Sequence, residues 1–375
     1  MPLVERAGVR PPAAGTAPLL LHVFSTFATG GPQVRFATIV NHFGPRWRHA
    51  VVAMDGNLGC RERLDTALDV AFPALPLVKG NLRANVRTMR AALREMRPAT
   101  LITSNWGTIE WAVANRLPLV RHVHVEDGFG PEERTAQLPR RVWMRRLFLA
   151  GRTVVVPSLT LLRIATETWT LNPARLRYIP NGIDLARFAP GPSATPPGEF
   201  PVIGAVAALR AEKNLARLLR AFALAIRTHP ARLVIVGDGP ERGALEALAG
   251  ELGIAAHIHW AGHIPDPAPL LRGMDIFAMS SDTEQMPISL LEAMAAGLPV
   301  ASTAVGDIAA ILPPGQQGFV TPLDDRALAD ALSRLLADRS LRQSMGAENR
   351  TRVTEAFDQH TMLKSWSAVF DPSKP

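Results

Sequence analysis

Two glutamates have a spacing and setting that suit ligand chemistry. Glu284 and Glu292 lie within SSDTEQMPISLLEAMAAGLPV, residues 280–300. The apolar run Ile276–Met279 precedes them, and Gly297 and Pro299 stop a helix that begins near Ile288. The pattern reads as strand, loop and helix, with Glu284 in the loop and Glu292 in the helix. Eight residues of helix turn through about 800°, which leaves two side chains about 80° apart. The two carboxylates therefore do not form one pair; they suit different parts of one elongated ligand. A carboxylate can take two vicinal hydroxyls with its two oxygens, as a ribose diol requires. The free N–H groups at a helix start suit a diphosphate. Pro287 has no N–H, so Met286, Ile288 and Ser289 are the amides to consider. The bland alternative is two solvated acids flanking a core helix.

The segment resembles the signature of retaining GT-B glycosyltransferases, glycosyltransferase family 4 (glycosyl transferases group 1): Glu-x7-Glu running into LLEAMAAGLPV. The resemblance implies that Glu292 binds the ribose of a nucleotide-sugar donor and that Glu284 contacts the transferred sugar. Other stretches fall in the family's order. Residues 206–214, VAALRAEKN, occupy the place of its G-R-L-x-x-x-K-N, where two cations neutralise the donor diphosphate. Lys213 matches directly. Ala208 stands where the usual Arg would be, and Arg210, two residues on, either reaches the same oxygens or points away. Gly30 and Gly31 follow the first strand and match the family's Gly-rich loop, which meets donor phosphate and acceptor; a plain turn is the alternative. Counting from Pro118, His124 matches a histidine near the anomeric centre and would hydrogen-bond the transferring sugar, with His122 as runner-up. Glu126 and Asp127 either meet the acceptor hydroxyl or stay solvated. Asn181-Gly182-Ile183-Asp184 and Gly237-Asp238-Gly239-Pro240 are tight turns, read as structural, the first helping to close one domain onto the other. The sequence contains no Asp-x-Asp pair, so charge neutralisation falls to Lys213, Arg210 and helix termini, and neither a catalytic metal nor a cofactor is expected.

These residues must be positioned by an alternation of short apolar runs and longer amphipathic stretches. Runs at 19–25, 50–54, 100–103, 119–125 and 153–156 precede the segment Ala189–Pro201, which has five prolines in thirteen residues; runs at 202–208, 232–236, 257–261, 276–279 and 299–302 follow it. This is the rhythm of parallel sheets covered by helices. The expected fold class is α/β, two doubly wound Rossmann-like domains of the GT-B kind facing across a cleft that holds the main site. The expected divisions are a disordered leader (1–16), an acceptor-side domain (17–188), a Pro-rich linker (189–201), a nucleotide-sugar domain (202–357) and a C-terminal helix crossing back (358–375).

With 375 residues, 47% hydrophobic and 20% charged, the chain can bury large cores, and global disorder is excluded. A single cysteine, Cys60, excludes an internal disulfide framework and a Cys-based metal cage, and fits a reducing compartment. No apolar run approaches the roughly 18–20 residues that span a bilayer. A cytoplasmic protein is expected, soluble or peripheral on the inner face of the cytoplasmic membrane. Residues 1–190 hold 25 Lys and Arg against 13 Asp and Glu, whereas residues 191–375 hold 16 against 20. The basic first half therefore faces something anionic.

Within it, Arg83, Arg87, Arg90, Arg94 and Arg97 form a helical stripe beside Leu82, Val86, Met89, Leu93 and Met96. Arg140, Arg141, Arg145 and Arg146 surround Trp143. An anionic lipid surface or a lipid-diphosphate acceptor fits these clusters. Nucleic acid is not expected, because interleaved aromatic platforms are missing. The expected activity is metal-independent transfer of a sugar from a UDP- or GDP-linked donor to the hydroxyl of a glycan or lipid-linked acceptor, in bacterial polysaccharide or lipid-linked glycan assembly. The rival readings are a nucleotide-sugar epimerase of the same fold and a non-catalytic membrane-associated binding protein.

Overall fold

A computed structural model describes residues 17–133, 136–192 and 199–371. The leader expected at 1–16 and residues 193–198 of the expected linker lie outside the described residues. The chain divides into two units: residues 1–179 with 363–375, and residues 180–362.

The first unit is a parallel sheet of seven strands: β1 (Leu19–Phe24), β2 (Arg48–Ala53), β3 (Val70–Ala71), β4 (Thr100–Ser104), β5 (Arg121–Val125), β6 (Thr153–Val156) and β7 (Leu176–Tyr178). Their order is β3-β2-β1-β4-β5-β6-β7. The chain steps outward from β1 on one side and then crosses to β4 on the other. That places a switch point between the carboxyl ends of β1 and β4, where doubly wound sheets take ligands. The strands read as near-continuous apolar runs because both faces are covered. Leu21, Val23, Leu101 and Val123 are all fully buried.

The second unit has six parallel strands: β8 (Val202–Val206), β9 (Arg232–Val236), β10 (Ile258–Gly262), β11 (Ile276–Met279), β12 (Val300–Thr303) and β13 (Val320–Thr321). They run β10-β9-β8-β11-β12-β13, so its switch point lies between β8 and β11. Leu218, Phe222, Leu233, Ile235 and Leu332 fill one side of this sheet, and Phe277, Leu290, Leu291 and Met294 the other. All ten strands expected from the apolar runs are present within two residues at each end. The three additional strands, β3, β7 and β13, have only two or three residues each.

The division differs from the expected one. The first unit ends at Ile179, and residues 180–188 belong to the second unit. The reason is local. Ile183 N–H donates to the Phe357 carbonyl (2.8 Å), Gln359 N–H donates to the Ile183 carbonyl (3.1 Å), and the Asn181 side chain donates to the Met286 carbonyl (2.8 Å). Gly182 packs so tightly against Gln359 and Met362 that a Cβ would overlap them. The Asn-Gly-Ile-Asp turn thus anchors the second unit to itself. The final helix, Gln359–Phe370, begins in the second unit and from Leu363 belongs to the first. There Trp366 and Phe370 are buried, with the Phe370 ring 5.5 Å from that of His22 and 5.6 Å from that of Trp47.

The basic clusters need correction. In the helix Leu82–Met96, Met89, Leu93 and Met96 are buried against the sheet, and Arg83, Arg87 and Arg94 are exposed, as is Arg97 just beyond its end. Arg90 is half-buried, its guanidinium donating to the carbonyls of Ala114 (2.5 Å) and Leu117 (3.4 Å). Of the four arginines in the helix Pro139–Leu149 only Arg140 and Arg146 are exposed, beside the exposed Trp143, and Arg146 donates to the Thr168 carbonyl (2.6 Å). Arg145 is fully buried between Glu126 and Glu133 and is no part of a surface. Arg141 is largely buried and paired with Glu132 and Glu133. Basic residues four positions apart look alike in sequence; the buried acids that claim two of them come from other segments. Among the described residues no helix is long and apolar enough to cross a membrane.

Candidate active site

In the second unit the loops leaving β8 and β11 meet at the switch point. Lys213 closes a short 3-10 turn, Ala211–Lys213, after β8, and Glu284 lies in the loop after β11. Lys213 Nζ stands 2.5 Å from Glu284 Oε1, and Ser281 Oγ donates to the same oxygen at 2.8 Å. The loops are laced below this pair. Ser280 Oγ donates to the Lys213 carbonyl (3.1 Å), Asp282 N–H donates to the Glu212 carbonyl (2.9 Å), and Asn214 Nδ2 donates to Asp282 Oδ1 (3.0 Å). Arg217, buried at the start of the following helix, donates to the Ser280 carbonyl (2.7 Å) and to Asp282 Oδ1 (2.8 Å). A cation and a carboxylate are therefore held at the ends of neighbouring strands by interlocking polar contacts.

Two glycines make these positions possible. Gly306 has φ +55°, and a Cβ there would overlap the carbonyls of Glu284 and Gln285. Only glycine lets the loop after β12 pass this close, and Asp307 N–H then donates to the Gln285 carbonyl (3.0 Å). Gly237 has φ +142°, and a Cβ would strike the Ala207 carbonyl. The Gly-Asp-Gly turn so braces the loop that carries Lys213, with Leu209 N–H donating to the Asp238 carbonyl (3.0 Å).

The helix Ile288–Ala295 starts immediately after Pro287, which provides no capping side chain. Ile288 and Ser289 occupy its first turn, where N–H groups have no intrahelical acceptor. Met286 is buried, and its carbonyl is taken by Asn181, which fixes the approach to the helix. Glu292 is half-buried on the helix, one turn from its end. Gly297, φ +77°, ends the helix in the left-handed conformation, as the sequence indicates. Arg210 is exposed and forms no ion pair among the described residues, and Ala208 is exposed as well. The structure thus joins Lys213 to Glu284 and does not join Arg210 to either.

The first unit places its expected residues differently. Gly30 precedes the helix Gly31–Phe43, at the carboxyl end of β1 beside the switch point. Gly30 is extended (φ −164°), and its carbonyl accepts from Val34 N–H (2.8 Å). His124 is fully buried. Thr103 Oγ1 lies 2.8 Å from both His124 Nδ1 and His122 Nε2, and His124 Nε2 faces Glu126 Oε2 at 3.5 Å. With the Nε2 proton facing Glu126, Nδ1 accepts the Thr103 hydroxyl, and Thr103 in turn accepts from His122 Nε2. Both nitrogens of His124 are committed inside the unit, so the expected hydrogen bond from this ring to a sugar is not available in this arrangement. Strand position was legible; the buried partners were not.

Glu126 and Asp127 are not solvated either. Burial alone would raise the Glu126 pKa, but the Arg145 guanidinium and His124 outweigh it and hold the carboxyl below its ordinary value. Arg145 Nε sits 3.1 Å from Glu126 Oε2, and its guanidinium lies over the rings of Trp106 (5.2 Å), Phe129 (5.4 Å) and Trp169 (4.9 Å). Asp127 pairs with Arg35 at 2.7 Å. Burial, and then His124 and Arg152, push the His122 pKa well down. Sequence reasoning missed Ser281 and Trp106. Ser281 carried no motif of its own. Trp106, in Asn-Trp-Gly straight after the apolar strand β4, had a positional signal that was not used.

Comparisons with known proteins give the family and the fold. Residues 29–187 match the family model described as Glycosyltransferase Family 4, and residues 192–352 match that described as Glycosyl transferases group 1. The chain is similar to a GDP-mannose-dependent alpha-(1-6)-phosphatidylinositol monomannoside mannosyltransferase of Mycobacterium tuberculosis, 34% identical over 209 residues, covering 50% of this chain and 54% of that protein. It is also similar to an N-acetyl-alpha-D-glucosaminyl L-malate synthase of Bacillus anthracis, 31% identical over 162 residues, 43% of this chain and 42% of that protein. The chain spans about half the length of these curated relatives. Among solved structures, the Anabaena protein HepE in complex with UDP-glucose superposes with a TM-score of 0.78 at 17% identity, over 94% of this chain and 99% of that one. The sucrose-phosphate synthase of Thermosynechococcus elongatus gives a TM-score of 0.77 at 19% identity, over 94% and 98%. Those likenesses show the fold. With two sheets switched at β1/β4 and β8/β11, and the two models together covering residues 29–187 and 192–352, the chain belongs to the glycosyltransferases of family 4, glycosyl transferases group 1.

Proposed function

We propose that this chain is a retaining glycosyltransferase that moves a sugar from a UDP- or GDP-linked donor to a hydroxyl of a glycan or lipid-linked acceptor in bacterial envelope or polysaccharide assembly. The observation that carries it is the Lys213–Glu284 pair at the carboxyl ends of β8 and β11. In this reading Glu292 takes the ribose diol, and the first-turn amides of Ile288 and Ser289 meet the diphosphate. Lys213 and, from its exposed position, Arg210 offset the charge that grows as the bond from the sugar's anomeric carbon to the diphosphate breaks. Glu284 holds hydroxyls of the transferred sugar. The acceptor oxygen attacks from the face the diphosphate leaves, and its proton passes to the departing phosphate oxygen. The first unit supplies the Gly30–Gly31 loop and the acceptor side. His124 contributes there by supporting the end of β5. Charge offset comes from protein cations, so the reaction runs in the presence of a chelator.

Relatives named for GDP-mannose and neighbours solved with UDP support a nucleotide-sugar donor. The test is calorimetric titration of wild type and Glu292→Ala with UDP, GDP, ADP and CMP. Binding of one diphosphate in the micromolar range, lost in the variant, supports the reading. A folded protein that binds none of the four refutes it. Nucleotide binding with release of free UDP from the donor but no acceptor product would favour the epimerase alternative or simple hydrolysis.

A further inference from the structure

The first unit contains a pocket of about 430 Å³ that no step above uses. It opens at the carboxyl end of β4, where the chain leaves the strand through Asn105 and Trp106. Leu82 lines it at the head of the helix Leu82–Met96. Trp106, Gly107, Glu110, Leu138, Arg140 and Arg141 also line it.

The lining combines three chemistries. Glu110 is held on one side, where Asn85 Nδ2 donates to its Oε2 at 3.0 Å. That leaves Oε1 to accept hydroxyls. Arg141 is locked through Nη1 alone, to Glu132 (2.5 Å) and Glu133 (3.1 Å), with its guanidinium 4.9 Å from the Trp106 ring centre. Its Nε and Nη2 donors carry no bond among the described residues, and neither does the exposed guanidinium of Arg140. The rim is apolar: Leu82 and Leu138 are 39% and 42% exposed. A paired cation, an exposed cation, one carboxylate and an aromatic ring together complement a head that bears both phosphoryl charge and hydroxyls.

We propose that this pocket is the acceptor subsite and that it selects a phosphorylated polyol or sugar head, with the phosphoryl group on Arg140 and Arg141 and a hydroxyl on Glu110. The proposal rests on the transferase reading for its purpose but not for its chemistry. Gly107 adds a constraint: a Cβ there would overlap the Ser25 side chain, which ties this lining to the loop leaving β1.

The experiment is calorimetry of the whole chain with myo-inositol 1-phosphate, glycerol 1-phosphate and glucose 6-phosphate, each against its unphosphorylated form, with and without saturating nucleoside diphosphate. At least one phosphorylated probe should bind tenfold or more tightly than its parent. Arg140→Ala should remove that preference, Glu110→Gln should weaken the same probe several-fold, and Arg94→Ala should change nothing. Arg140 is exposed, so its loss does not threaten folding. Equal binding of every phosphorylated and parent pair, or a preference insensitive to Arg140→Ala, overturns the proposal. Vesicles containing phosphatidylglycerol provide a second arm. Capture that depends on Arg83 and Arg87 but not on Arg140 would assign the charge to a lipid surface and also overturn it. Phosphate-selective binding without nucleotide binding keeps the pocket and refutes the transferase reading; the converse refutes the pocket alone.

Discussion

Lys213 and Glu284 hold each other at 2.5 Å, so a diphosphate that takes the lysine competes with the carboxylate for its charge. Two outcomes follow at this scale. Lys213→Ala should slow transfer by roughly 10²–10³-fold, the usual cost of one charge-stabilising donor, measured as initial rates with donor and acceptor saturating. Glu284→Gln should also slow transfer, yet it should bind the nucleoside diphosphate at least as tightly as wild type, because Lys213 is released. Weaker diphosphate binding in that variant would show that the ion pair does not compete with the donor. Arg145 is the opposite kind of residue, with its charge enclosed. Arg145→Ala leaves Glu126 buried without its guanidinium and Glu133 with Arg141 alone, and should lower unfolding free energy by about 3–5 kcal/mol in urea titrations. In the sequence Arg140 and Arg145 were indistinguishable members of one basic run. What separates them is Glu126 at the end of β5 and Glu133 beyond it, and such pairing over a distance leaves no mark in the local pattern. His124 shows the same limit: its place on a strand was readable, whereas its enclosure by Thr103 and Glu126 was not.

The elements were more legible than the contacts. Ten strands announced themselves as apolar runs because a strand buried on both faces has few polar positions to interrupt it. Val70–Ala71, Leu176–Tyr178 and Val320–Thr321 are too short to display a period, and the sheet neighbours decide them. The helix Ile288–Ala295 was readable from its stop, since Gly297 adopts φ +77° there. The loops that position the ion pair were only partly so. The glycine at 306 carried no family motif, although the Glu284 loop depends on its close approach. Gly306→Ala should cost about 1–3 kcal/mol from left-handed strain alone, and more from the overlap with the Glu284 carbonyl. A loss of transfer larger than the loss of stability would show that the displaced loop matters more than the strain; an unchanged rate and melting temperature would show that the loop adapts.

Over the molecule, titration behaviour concentrates in the first unit. His22 Nε2 and His49 Nδ1 lie 3.1 Å apart, enclosed by Phe36 and Phe370. Burial lowers the His49 pKa from 6.5 to about 4, and burial with the neighbouring His49 pushes His22 well below its ordinary value. A histidine that resists protonation when folded makes the unfolded chain the better proton acceptor. Stability is therefore full above about pH 6.5 and falls as the pH drops toward about 4, by on the order of 3 kcal/mol for His49. Glu126, held below its ordinary value, adds a loss at still lower pH. Denaturant midpoints measured between pH 7.5 and 4.5 should decline, and His49→Gln should flatten the decline. A flat profile in wild type would show that the pair is reached by water.

Phe370, which packs on these histidines, and Trp366 beside it follow residues 180–362 in the sequence, yet they belong to the unit built from residues that precede that segment. On the ribosome, the first sheet emerges with its His22 side uncovered and waits while residues 180–362 are made. At about 5–20 residues per second that interval lasts roughly 10–40 s. Of these two units the one synthesised earlier is thus completed later, and a nascent chain stalled between the two segments presents an open apolar face to chaperones and proteases.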